Sequence, residues 1–304
     1  MTPRQTIALL LLCCASGAAA QSSPRNGLTR AESRAGWRLL FEGANLRGWR
    51  GLGYDSVPTS HWKVSDGTIH LLPTRAVNTV TRAERAAGWR LLFDGATLKG
   101  WRGLGYDTVP TAHWRVSNGT IHKVPIGEVA RMPDGQPAQG GDLMTTATYR
   151  DFELAFEWKV PPGANSGVKY NVSEEISRRT ANHAALGFEY QVLDDSLHED
   201  NKIPSHRAGA LYDLIPPNDL KKLAPVGQWN SSRIVLRGNH GEHWLNGKKI
   251  VSYDVGTPHF DSLMAASKYK AIAGFAERRA GHIVLQDHGD EAWYRNLKIR
   301  ELKP

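Results

Sequence analysis

The stretch Asp151-Phe152-Glu153-Leu154-Ala155-Phe156-Glu157-Trp158-Lys159-Val160 alternates apolar and polar residues with period two, and the pattern recurs along the chain. Successive side chains of a strand point to opposite faces, so such a run reads as a β-strand. An amphipathic helix would repeat its apolar residues every three or four positions. Pro161-Pro162-Gly163 closes this strand, 167–172 opens the next, and Phe188-Glu189-Tyr190-Gln191-Val192 alternates again. The segments 233–236 and 243–245 flank a turn at Gly238-Asn239-His240-Gly241, and Asn246-Gly247 is a type I′ hairpin signal leading into 248–252. Segments 282–286 and 297–299 complete the set. Many short strands and no long helical period predict an all-β fold, a two-sheet antiparallel sandwich or jelly roll.

The N-terminal third carries a tandem duplication. Residues 29–73 recur at 81–125 with a constant offset of 52, and about three positions in four are identical. Gly36-Trp37-Arg38-Leu39-Leu40-Phe41 returns as Gly88-Trp89-Arg90-Leu91-Leu92-Phe93, and His61-Trp62-Lys63-Val64 returns as His113-Trp114-Arg115-Val116. Nothing after 125 repeats, which excludes a solenoid or propeller. A jelly roll has one place for this hairpin. The second copy runs directly into the body through 125–141, so it closes the shorter loop and is expected to fill that place. Lys123, where the first copy has Leu71, adds to the difference between the copies. Segment 21–80 is then a linker plus a peripheral or partly disordered first copy with exposed Trp37, Trp49 and Trp62, and 81–304 is the folded domain.

Residues 1–20 form a leader: Arg4, an apolar run from Ile7 to Ala15, and small residues ending Ala18-Ala19-Ala20 before Gln21. The run is too short to span a bilayer, and no later segment is apolar enough to do so. The expectation is export to the periplasm or beyond, favoured over a lipid anchor on Cys13 or Cys14, whose preceding residues are bulky. Both cysteines fall in the leader, so the processed chain has neither disulfides nor thiolates. The net charge of +8 is scattered and forms no basic block, which argues against nucleic-acid binding.

From Gly88 to about Glu301 the chain resembles the 3-keto-disaccharide hydrolase family. The resemblance rests on an ordered set. It begins with Leu92-Phe93-Asp94-Gly95, Leu98-Lys99-Gly100-Trp101, Trp114-Arg115-Val116 with Asn118-Gly119, and Gly140-Gly141-Asp142-Leu143. Phe152-Glu153-Leu154, Glu157-Trp158, Asn165-Ser166-Gly167, Glu189-Tyr190-Gln191-Val192-Leu193-Asp194-Asp195 and Gly209-Ala210-Leu211-Tyr212-Asp213 continue it. Trp229-Asn230, Glu242-His243-Trp244-Leu245-Asn246-Gly247, Gln286-Asp287-His288-Gly289 and Tyr294-Arg295-Asn296 complete it. The extra copy at 29–73 departs from the family's single-domain pattern. The resemblance implies a concanavalin-like jelly roll and cleavage of glycosides already oxidised to a ketone at sugar carbon 3. A 3-ketone acidifies the proton on carbon 2. The site therefore needs a base, a group that polarises the ketone oxygen, and an acid for the leaving group.

Glu189 and Gln191 lie two apart on one strand and share its polar face; Glu189 is the expected base. His288, which shares a face with Gln286 if the strand persists, and His198 in a polar loop are the expected proton shuttles. Asp142, Asn165, Lys169, Arg207 and Gln286 are expected to bind the sugar, with Trp101 and Tyr212 as stacking platforms. Glu153 and Glu157 form a similar polar row, and His243 reads as structural. No zinc-type ligand spacing occurs, so neither metal nor nucleotide cofactor is expected, although Asp194, Asp195, Glu199 and Asp200 could supply oxygens to a structural calcium. A non-catalytic carbohydrate-binding module using the same face is the alternative. An ordinary glycosidase would need two carboxylates flanking the bond, and this strand offers one. The oligomeric state stays open.

Overall fold

Asn118-Gly119 and Asn246-Gly247 take positive φ at both residues (50° and 70°, 46° and 81°), as a two-residue type I′ turn requires. Each turns one strand back on the next: Trp114–Ser117 onto Thr120–Lys123, and His240–Leu245 onto Lys248–Asp254. The computed structural model describes residues 26–52, 56–57, 62–71, 77–125, 127, 141–179, 184–277 and 280–303. The leader, His61 and most of the 125–141 connection lie outside them. The chain divides into two units, Met1–Arg75 and Ala76–Pro304.

Unit Ala76–Pro304 is a two-sheet antiparallel sandwich of the expected jelly-roll class. One sheet runs, in spatial order, Phe188–Leu193, Asn165–Val172, His282–Leu285, Leu143–Thr145, Trp101–Gly103. The other runs Lys248–Asp254, His240–Leu245, Asn230–Arg237, Phe152–Lys159, Ala292–Glu301, Thr120–Lys123, Trp114–Ser117, with Arg90–Leu91 also paired to Ala292–Glu301. The turn expected at 238–241 is shorter, because His240 and Gly241 already pair with Asp254 and Tyr253. The helix Pro258–Ala266 went unread in the sequence. Thr257 caps it, Pro258 opens it, and Phe260 buries its ring against Phe188 and Tyr253.

Between the sheets the core is aromatic and its polar atoms are paired. Phe156 meets Tyr190 edge-on at 5.4 Å between centroids, and Tyr190 accepts a hydrogen bond from Ser232 at 2.8 Å. Tyr294 crosses from one sheet to the other, its hydroxyl donating to Ser166 Oγ at 2.7 Å. His243 is wholly buried between Tyr170 and the Gly209 carbonyl, and burial pushes its imidazole down to about 4. It is neutral and structural, as expected. Asn78 and Asn296 exchange reciprocal bonds at 2.6 and 2.8 Å, and Lys298, almost fully buried, pairs with Glu84 at 2.7 Å.

The first unit repeats the local structure of the second copy. Thr29 and Thr81 each cap a five-residue helix with a reciprocal Glu32 or Glu84. Asn26 and Asn78 each donate to a turn carbonyl, that of Gly67 or Gly119. Trp62–Ser65 and Thr68–Leu71 pair as a two-stranded sheet of their own. The aromatic residues differ in their surroundings. Trp101 and Trp114 are 5% and 1% exposed; their counterparts Trp49 and Trp62 are 44% and 39% exposed. Trp114→Ala is therefore expected to cost about 3–5 kcal/mol of stability, and Trp62→Ala to stay within about 0.5 kcal/mol. Urea unfolding of both variants measures this, and equal losses would contradict it.

Candidate active site

The strands Asn165–Val172 and Phe188–Leu193 pair so that Lys169 faces Glu189 and Gly167 faces Gln191. Alternation sends Phe188, Tyr190 and Val192 into the core, and Glu189 and Gln191 to the other face with Asn165 and Lys169. That second face is also buried: none of these four polar side chains belongs to a residue more than 5% exposed. Lys169 Nζ lies 3.7 Å from Glu189 Oε2 and donates to the Ala185 carbonyl at 3.1 Å. Burial lifts the Glu189 carboxyl above its ordinary range, while the charges of Lys169 and Lys268 pull it back. Gly167 forms the floor. A Cβ there would lie 2.3 Å from Glu189 Oε1 and 3.1 Å from Gln286 Oε1, so only glycine leaves both side chains in place.

The hydrogen-bond network fixes which atoms remain open. The Asp200 carboxylate is acceptor-only, so the Asn165 amide presents its Nδ2 toward it at 3.5 Å. Asn165 Oδ1 then accepts from Gln191 Nε2 at 3.3 Å. Among the described residues, Gln191 Oε1 and Gln286 Oε1 are left buried without a hydrogen-bond partner. Buried acceptors without donors are costly, and donors such as sugar hydroxyls would satisfy them. Asn165 Nδ2 also lies 3.4 Å from His288 Nε2, and the His198 ring sits 6.2 Å from that of His288.

Asp200 gathers positive charge at the edge of this row. His206 lies between Asp200 at 3.6 Å and Asp213 at 3.0 Å. Burial alone would push its imidazole down, but the two carboxylates outweigh burial and lift it to about 9. The His206 ring stacks on Tyr212 at 4.3 Å, and Lys268 Nζ lies 4.4 Å from the centre of the same Tyr212 ring. The Tyr212 hydroxyl points to Asp200 Oδ2 at 3.5 Å.

The structure thus brings together Glu189, Gln191, Asn165, Lys169, Gln286 and His288, with His198 and Tyr212 at the margin. It corrects several expectations. Trp101 is no platform: it is core, and its indole N–H donates to the Leu92 carbonyl at 2.7 Å. Tyr212 already carries an imidazole and an ammonium against its ring, and its hydroxyl donates to Asp200. Arg207 is exposed and donates to the Asn201 carbonyl. It lines a separate crevice of about 570 Å³ with Asp195, Asn218 and Lys221. His198 spends Nδ1 on capping Asp200. Asp142 lies close to Glu189, yet its two oxygens accept the Asp287 and Ala185 N–H groups, so it holds backbone rather than sugar.

Of the carboxylates weighed for calcium, Asp194 binds Gly163 N–H and Ser196, Asp195 binds Lys221 and Ala208 N–H, Glu199 binds Lys202, and Asp200 binds His206. Among the described residues no group of three or more His, Cys, Asp or Glu side chains could hold a metal. Glu153 and Glu157 belong to the other sheet, paired with Arg233, Arg300 and Arg295. Sequence reasoning missed Lys268, His206 and Asp213. His206 and Lys268 lie in single-turn 3-10 helices and Asp213 in a turn, all too short to show a periodicity. The sole signal was His206 standing seven residues before Asp213.

Residues 88–300 match the family described as the 3-keto-alpha-glucoside-1,2-lyase-like domain. A 3-keto-disaccharide hydrolase of Bacteroides thetaiotaomicron is 34% identical over 71% of this chain and 79% of its own length. Two crystal structures of glycosyl hydrolase-type proteins from Parabacteroides distasonis superpose with TM-scores of 0.64 and 0.53 at 28% and 27% identity. They cover 75% and 70% of this chain and 100% and 99% of theirs. No helix among the described residues is long and apolar enough to cross a membrane. The sandwich, the ordered motifs and these matches agree, and the chain belongs to the 3-keto-alpha-glucoside-1,2-lyase-like family.

Proposed function

We propose that this protein cleaves 3-keto-glycosides by elimination across carbons 1 and 2 of the oxidised sugar, followed by hydration, with Glu189 as the base. One observation carries the reading: a buried carboxylate raised in basicity sits beside a buried ammonium, over a side-chain-free floor, with two acceptor oxygens lacking donors. Glu189 removes the proton from carbon 2, and the electron pair forms the enolate of the 3-ketone. The Lys169 ammonium stabilises the charge on the ketone oxygen. As the carbon 1–oxygen bond breaks, His288 protonates the departing oxygen. Water then adds to carbon 1 while a proton returns to carbon 2, so the net change is one water consumed and one glycosidic bond cleaved. Gln191 and Gln286 accept hydrogen bonds from hydroxyls of the ring. The family description names a 1,2-lyase and the Bacteroides relative a 3-keto-disaccharide hydrolase, which are the two halves of this sequence of steps. The leader at 1–20 supports export, so the substrate would be met in the periplasm or beyond.

Glu189→Gln is expected to lower turnover of a 3-keto-glucoside by about a hundred- to ten-thousand-fold in a protein that still folds, with a lower melting temperature because the buried Lys169 ammonium loses its partner. Turnover near that of the unmodified protein would remove Glu189 from the role. Binding of the sugar with no turnover by either protein would instead favour a carbohydrate-binding module.

His206 sets a pH limit on the same region. Its folded imidazole titrates near 9, above its ordinary range around 6.5. A raised folded value means that the protonated form stabilises the fold. That contribution is fully present below about 6.5 and disappears as pH rises through about 9. Urea unfolding at pH 6 and pH 10 is expected to show a loss at the higher pH that His206→Gln lacks. An identical loss in the variant would place the titrating group elsewhere.

A further inference from the structure

At 286–289 the chain leaves its strand, and the residues alternate in allegiance. Gln286 and His288 belong to the polar face, and Asp287 between them turns to a different set of partners. Its carboxylate receives Lys123 Nζ at 2.8 Å, with the two side chains 0% and 1% exposed. The same oxygen accepts the Gly289 N–H at 2.8 Å, and the other oxygen meets His113 Nδ1. The Asp287 N–H donates to Asp142 Oδ1 at 2.8 Å. Gly141 closes the enclosure, where a Cβ would lie 2.0 Å from Asp287 Oδ2. The ammonium of Lys123 is thus fully buried and bonded to the residue between two members of the site.

Lys123 and His113 both belong to the second copy of the repeat. The first copy keeps the histidine, as His61, but has Leu71 where the second has Lys123. A leucine cannot neutralise a buried carboxylate. Asp287 would then be left as a buried anion held only by His113 and the Gly289 N–H, or would turn toward water, and either change moves the main chain that carries Gln286 and His288.

We propose that Lys123 is the positioning residue of this site: through Asp287 it fixes Gln286 and His288. The proposal rests on the sugar-cleaving reading of that face. Its test is Lys123→Leu, which writes the first copy's residue into the second. On a 3-keto-glucoside the expected result is a fall in kcat of about a hundredfold, since displacement of about 1 Å at reacting groups costs that much. The alkaline limb of the kcat profile should also shift upward, because an anion beside His288 loses its counter-charge and favours the imidazolium. Faster amide exchange at Asp287 and Gly289 is expected with it. If Lys123→Leu does not fold, the pair Lys123→Leu with Asp287→Asn removes both buried charges and carries the same expectation for kcat and exchange. A folded Lys123→Leu protein with unchanged kcat, pH profile and exchange would overturn the positioning role. If the unmodified protein cleaves no 3-keto-glycoside, the functional reading fails by itself, and amide exchange at 286–289 still decides the role of Lys123.

Discussion

Burying a polar face of a β-sheet is the constraint on which the rest of this structure depends. The paired strands Asn165–Val172 and Phe188–Leu193 are buried on both sides, although one side carries the polar residues Asn165, Lys169, Glu189 and Gln191. Each such group must find a partner or bear a desolvation cost of about 1–3 kcal/mol. The partners come from loops folded over the sheet: Ala185 for Lys169, Asp200 for Asn165, and Asp287 and Ala185 for Asp142. The same desolvation gives the face its chemistry. It raises the basicity of Glu189 and strengthens its interaction with Lys169, and it leaves Gln191 and Gln286 with acceptor atoms that a hydroxylated ligand would satisfy.

The duplication can be judged on the same physical scale. Closing the longer loop needed by the first copy adds about 1 kcal/mol of chain entropy. Leaving a buried charge without its partner costs about 3–5 kcal/mol. Lys123 opposite Leu71 is therefore the larger difference between two segments that otherwise carry nearly the same strands, caps and turns.

Much of this was legible in the sequence, for a specific reason. Period-two alternation depends on nearest neighbours, so Phe188-Glu189-Tyr190-Gln191-Val192 declares its two faces without knowledge of the fold. The Asn-Gly turns declare themselves through their positive φ. What stayed hidden depends on contacts between distant segments. Asp287 and Lys123 are 164 positions apart, and neither looks unusual alone. His206, Asp213 and Lys268 sit in single 3-10 turns and a loop, too short for a period to report orientation. Trp101 misled because a tryptophan suits both a sugar platform and a core, and only burial separates the two. Arg207 misled because a loop arginine next to site residues in sequence can still face away from them.

The central claim is that Glu189 works on the proton at carbon 2 of a 3-keto sugar. A substrate bearing deuterium at that carbon tests it most directly, by comparing its kcat/KM with that of the unlabelled sugar. Proton abstraction there predicts slower cleavage of the labelled substrate through a primary isotope effect. Equal rates for the two, with the label retained in the product, would contradict it.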